Sequence, residues 1–129
     1  MKRLLLSLFA LPLLGCPTEP TETLDPTLDA IQAEVFGKSC HFSTCHGGEG
    51  AQSGLRLDNK QDAYDTLINI DAVDASLVRV VPGDADGSLL YVTLLDSVED
   101  VDLMPKSADG LDQYKIDAIK QWIDDGAQF

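Results

Sequence analysis

Apolar residues recur along this chain at the spacing of a helix face in two places. Leu28, Ile31 and Val35 form the first set, and Ile116, Ile119 and Ile123 the second. Asp25 is placed to cap the first helix, Pro26 to open it and Gly37 to stop it. For the second, Asp112 is the cap, Leu111 staples onto Ile116 and Gly126 ends the run. Between them, Asp58 with Gln61 three residues later has the capping-box pattern and predicts a helix through Ala63, Tyr64, Leu67 and Ile68. A short helix is expected from Ser88 through Leu89, Leu90, Tyr91, Leu94 and Leu95, after the turn Pro82-Gly83-Asp84. Leu77 to Val81 has strand character, but it is short and isolated and reads as an extended connector. With no internal repeat and no series of strands, the expected class is mostly α.

The N-terminus follows a different pattern. Met1-Lys2-Arg3 precedes an apolar run from Leu4 to Leu14, too short to span a bilayer, so residues 1–15 read as an export signal. Leu13-Leu14-Gly15-Cys16 resembles a bacterial lipoprotein signal, which makes Cys16 the acylated terminus of the mature protein and a membrane anchor. Residues 16–26 then form the lipidated cysteine and a flexible tether rich in Pro, Thr and Glu, leaving 27–129 as one small domain. Pro17 is not the aspartate that resembles an inner-membrane retention signal, so the expected address is the cell envelope. The outer membrane is favoured there, with the domain facing the periplasm or the surface.

The chain carries 22 acidic against 9 basic residues, a formal charge of -13. Nucleic acid and anionic lipid headgroups are poor partners for such a surface, and a basic protein is its natural complement. With Cys16 acylated, Cys40 and Cys45 are the remaining thiols in an oxidising compartment, where unpaired cysteines do not persist.

Those two thiols sit in Cys40-His41-Phe42-Ser43-Thr44-Cys45-His46. Covalent c-type haem is held by C-x-x-C-H, in which two thioethers fix the porphyrin and the adjacent imidazole ligates iron. Here the Cys45-His46 adjacency is kept, while four residues separate the cysteines. On a helix, residues three apart lie about 60° apart around the axis and residues five apart about 140°. The two additional residues must therefore bulge outward, aided by Gly37 before and Gly47-Gly48-Glu49-Gly50 after. Met104, fixed by Pro105, is the candidate second axial ligand opposite His46.

The helix ending in VFGKSC, then CHGG, GLRLDNKQDAYDTLIN, RVVPGDADGSLLY, LMP and IDAIKQWIDDGA resemble, in that order, a c-type cytochrome domain. The likeness is to the small lipoproteins of the planctomycete-type cytochrome c family, over residues 27–129. It implies a cytochrome c-like fold whose N- and C-terminal helices cross around one haem c. Cys40 and Cys45 would attach that haem, with His46 proximal and Met104 distal. The implied function is single-electron transfer to a redox partner protein, without enzymatic turnover. Phe36, Tyr64, Tyr91 and Trp122 then read as core or haem-edge residues.

Two other readings of the same residues stay open. A Cys40–Cys45 disulfide would make the domain a haem-free binding or structural module. Zinc held by Cys40, His41, Cys45 and His46 is weaker, because structural zinc sites draw ligands from separated pairs. Neither a catalytic triad nor a phosphate-cradling loop is present, and the acids between Asp84 and Asp102 lack the calcium-loop spacing.

Overall fold

A computed structural model of the chain describes residues 21–107 and 109–129. The export signal and Cys16 lie outside those residues. Helix α1, Leu28–Ile31, runs into a π-helical stretch, Gln32–Cys40, followed by a 3-10 turn at Gln52–Gly54. Then come α2, Lys60–Leu67, α3, Leu89–Val92, and α4, Gln113–Asp124. Among the described residues β pairing is confined to isolated bridges, so the mostly helical class holds. None of the described helices is long and apolar enough to cross a membrane.

Thr27, not Asp25, caps α1. Its Oγ1 accepts from the Ala30 N–H at 3.3 Å, while its own N–H donates to the Asp25 carbonyl at 2.8 Å. Asp25-Pro26 thus forms a turn before the helix rather than its first residues. Gly37 does not end the helix either. The widened π turn carries the Gln32 carbonyl to within 2.9 Å of where a Cβ on residue 37 would stand. Glycine there lets the helix continue to Cys40.

The cap of α2 is also one residue later than the sequence suggests. The Asn59 side chain accepts from the Asp62 N–H at 3.0 Å and donates to the Asp62 carboxylate at 2.8 Å. Asp58 is engaged elsewhere. At α3, the Ser88 hydroxyl donates to the Asp84 carbonyl at 2.6 Å and accepts from the Val81 N–H at 2.8 Å, tying the preceding turn instead of capping the helix.

The core joins the first and last helices of the described residues. Leu28, Ile31, Val35 and Phe36 pack in one cluster with Ile116, Ile119, Trp122 and Ile123, and α1 touches α4. Trp122 is 2% exposed, with its indole N–H donating to the Gln128 carbonyl at 2.9 Å. That satisfies the one polar atom of a large buried ring. Leu77 to Val81 is an extended connector, as expected. It is held on one side by Val80 N–H to Leu67 carbonyl at 3.1 Å and on the other by Leu89 N–H to Val78 carbonyl at 2.9 Å.

Candidate functional site

The π-helix delivers Cys40, and the chain then closes a small loop on itself. The Cys45 N–H donates to the Phe42 carbonyl at 2.8 Å, the His46 N–H to the Cys40 carbonyl at 3.1 Å, and the Gly47 N–H to the Phe42 carbonyl at 3.2 Å. Phe42, Ser43 and Thr44 project to solvent, Phe42 with 52% of its surface exposed. The two cysteines meanwhile both line the same cavity. The four intervening residues are thus accommodated by the outward turn at 42–44.

Two details hold that loop. A Cβ on residue 47 would lie 2.0 Å from the His41 carbonyl oxygen, so only glycine permits the closure. The N–H of Gly48, a residue at φ +71°, points at both oxygens of the Asp58 carboxylate, at 3.0 and 2.9 Å. Beyond it, Gln52 N–H reaches the Cys45 carbonyl at 2.8 Å and Leu57 N–H the His46 carbonyl at 2.8 Å.

Cys40, Cys45, His46 and Met104 line one cavity of about 220 Å³, whose wall also includes the apolar side chains of Phe36, Leu67, Leu94 and Ile119. Met104 arrives from the far side of the sequence. Its N–H donates to the Thr93 carbonyl at 2.7 Å just past α3, and its side chain packs on the core. Burial, and then the neighbouring Cys45, push the Cys40 thiol up to about 12. An apolar wall of this kind tolerates a neutral sulfur and opposes a thiolate. Burial also lowers the His46 imidazole below its ordinary value, although the Gln52 and Leu55 main chains partly oppose this, so the neutral ring dominates at neutral pH. His46 Nδ1 is buried and has no hydrogen-bond partner.

His41 does not join them. Its Nδ1 faces the Phe36 carbonyl at 3.2 Å and its ring stacks on Phe42, outside the cavity lining. Among the described residues, no cluster of three or more His, Cys, Asp and Glu side chains is assembled to hold a metal ion. The Cys-His-Cys-His zinc arrangement therefore has no counterpart. Tyr64 and Tyr91 pack on the core without lining the cavity.

The structure adds residues that the sequence did not single out. Arg79 is 8% exposed and lines the cavity. Its cue was a lone charge inside the apolar run Leu77 to Val81. Asp58 fixes the loop after His46, and no sequence pattern separates that role from helix capping. At the mouth, Glu99 sits at φ 52° in a turn closed by reciprocal Val98 and Val101 bonds. It accepts from the Ser76 N–H at 2.9 Å and hydroxyl at 2.5 Å. That clamp joins the two loops bearing the exposed rim residues Val73, Asp74, Asp100 and Asp102.

This donor set fits a covalently held haem. Two thiols share an apolar wall with a neutral imidazole whose buried nitrogen lacks a partner, and a thioether reaches the same space. The family model described as Planctomycete cytochrome C matches residues 43–108, a span that contains Cys45, His46, Arg79 and Met104 and begins just after Cys40. No curated protein and no solved structure matches the chain.

Proposed function

Because this chain belongs to the planctomycete cytochrome C family, we propose that it is a single-haem c-type cytochrome, anchored to a membrane through Cys16, that passes electrons between partners in the cell envelope. The observation that carries this reading is the convergence on one cavity of the local set Cys40, Cys45 and His46 with Met104, which lies 58 positions after His46. When bound, haem c would supply one-electron chemistry at its iron.

The residues have separate tasks. Cys40 and Cys45 would hold the ring as thioethers, and the burial of Cys40 favours an uncharged sulfur there. His46 contributes a neutral imidazole, kept so by burial. Met104 contributes a thioether, which raises the reduction potential relative to a second histidine. Phe36, Leu67 and Leu94 exclude water from the centre, limiting reorganisation when charge changes. α1 and α4, which touch in the core, would support the cavity wall that Phe36 and Ile119 share. The rim carboxylates Asp74, Asp100 and Asp102 give a basic redox partner a complementary surface at the cavity mouth.

The test is covalent haem content. Co-expressed with a c-type maturation system, the chain is expected to stain for haem on a denaturing gel and to give a pyridine haemochrome spectrum. Cys45→Ser should abolish the stain. A haem-free protein with no reactive thiols would instead establish the Cys40–Cys45 disulfide and end the electron-transfer reading. Metabolic labelling with palmitate tests the anchor, and Cys16→Ala is expected to release the protein from the membrane fraction.

A further inference from the structure

Among the described residues, Arg79 is the one buried cation that lines the cavity. It is 8% exposed, yet among the described residues it makes no ion pair. Its guanidinium instead donates to three main-chain carbonyls: Thr66 at 2.8 Å, Gly54 at 3.5 Å and Ser53 at 2.5 Å. Neutral carbonyls satisfy donors but do not neutralise the charge, and they leave part of the five-donor fork free. Buried charges are ordinarily paired, because taking one out of water costs several kcal/mol, so an unpaired guanidinium here calls for an anionic partner.

The neighbouring side chains do not provide one. Asp74, the acid whose charge is felt by Arg79, is exposed and engaged by the Ser53 hydroxyl. Lys106, the other cation on the cavity wall, is exposed and already paired with Asp102 at 2.7 Å. In a chain with 22 acidic and 9 basic residues, an uncommitted cation at this place is a specific feature. A ligand that completes it would be largely apolar, to match Phe36, Leu67 and Leu94, with a carboxylate at its edge.

We propose that Arg79 receives a carboxylate of the porphyrin, so that the ring enters with its carboxylate edge toward Ser53, Gly54 and Thr66, and that this cation raises the reduction potential. The inference rests on the haem reading above. It assigns Arg79 as a positioning residue and fixes which edge of the ring lies beside it. A fixed positive charge beside the ring disfavours the oxidised iron, which carries one more positive charge than the reduced form.

Redox titration of the haem-loaded protein separates this role from a purely structural one. Arg79→Gln is expected to lower the ferrous-to-ferric ratio at a fixed poise about tenfold, a shift of ~59 mV for one electron. Arg79→Lys, which keeps the charge, should remain within about twofold of the parent. Equal potentials in all three would overturn the inference and leave the haem reading intact, whereas a parent chain that takes up no haem overturns both. Should Arg79→Gln fail to accumulate, the parent protein decides. In its reduced, arginine-labelled form, Arg79 N–H protons are expected to show NMR contacts to the methylene protons beside the ring carboxylates, and their absence would sink the assignment.

Discussion

The two walls of the cavity are built in opposite ways. The wall bearing Cys40, Cys45 and His46 is tied mainly by bonds between close neighbours in sequence, such as His46 N–H to Cys40 carbonyl and Gly47 N–H to Phe42 carbonyl. The wall bearing Arg79 and Met104 depends on distant segments: Arg79 reaches back to Thr66 and Ser53, and Ser76 is clamped by Glu99. A locally closed wall keeps its shape through its own backbone. A wall assembled from loops is only as rigid as the core beneath it.

Substitutions should separate the two. The largest effect is expected for Gly47→Ala, whose added Cβ would meet the His41 carbonyl at 2.0 Å. Opening that loop should cost ~1–3 kcal/mol or more and abolish haem attachment, read by thermal unfolding and haem staining together. Asp58→Ala removes the carboxylate facing Gly48 N–H at 2.9 Å. It should cost about 1 kcal/mol and lower haem loading without preventing it, by denaturant titration and haem quantification.

Met104→Leu should behave in the opposite manner. The side chain packs on the core with little polar character, so a near-isosteric swap is expected to cost under ~1.5 kcal/mol. The potential and the visible spectrum, however, should change to those of an iron lacking its thioether. If Met104→Leu unfolded the protein while Gly47→Ala did not, the contrast between the walls would be wrong.

The smallest effect concerns the mouth. The Ser76 hydroxyl, then its N–H, lower the Glu99 carboxyl below its ordinary value. A depressed folded value means that the clamp's contribution is fully present above the ordinary glutamate range and is lost as pH falls through the lower folded value. NMR titration of the Glu99 carboxyl carbon should give a midpoint below that of a free glutamate, and Ser76→Ala should raise it part of the way back, because the N–H bond at 2.9 Å remains. An unshifted midpoint in the parent would mean that the two loops are not joined in solution.

The same contrast governs what could be read from the sequence. The two bracketing helices were legible because Ile31 with Val35 and Ile119 with Ile123 repeat at the helical period, and burial follows that period. Helix starts were less legible where cap-type residues crowd together. Asp58 and Asn59 are both good caps, and only the competing Gly48 N–H, ten residues away, decides between them. Gly37 looked like a stop because glycine usually is one. Here it relieves the crowding of a π turn, which no residue pattern announces. Arg79 was passed over because its partners are main-chain carbonyls, and carbonyls leave no trace in side-chain identity.

The most direct test of the central claim is peptide mass spectrometry of the protein matured with a c-type haem system. One haem is expected on the fragment spanning Cys40 to Cys45, with both thiols consumed and with Cys45→Ser abolishing attachment. A haem-free fragment lighter by two hydrogens, the mass of a Cys40–Cys45 disulfide, would contradict the cytochrome account.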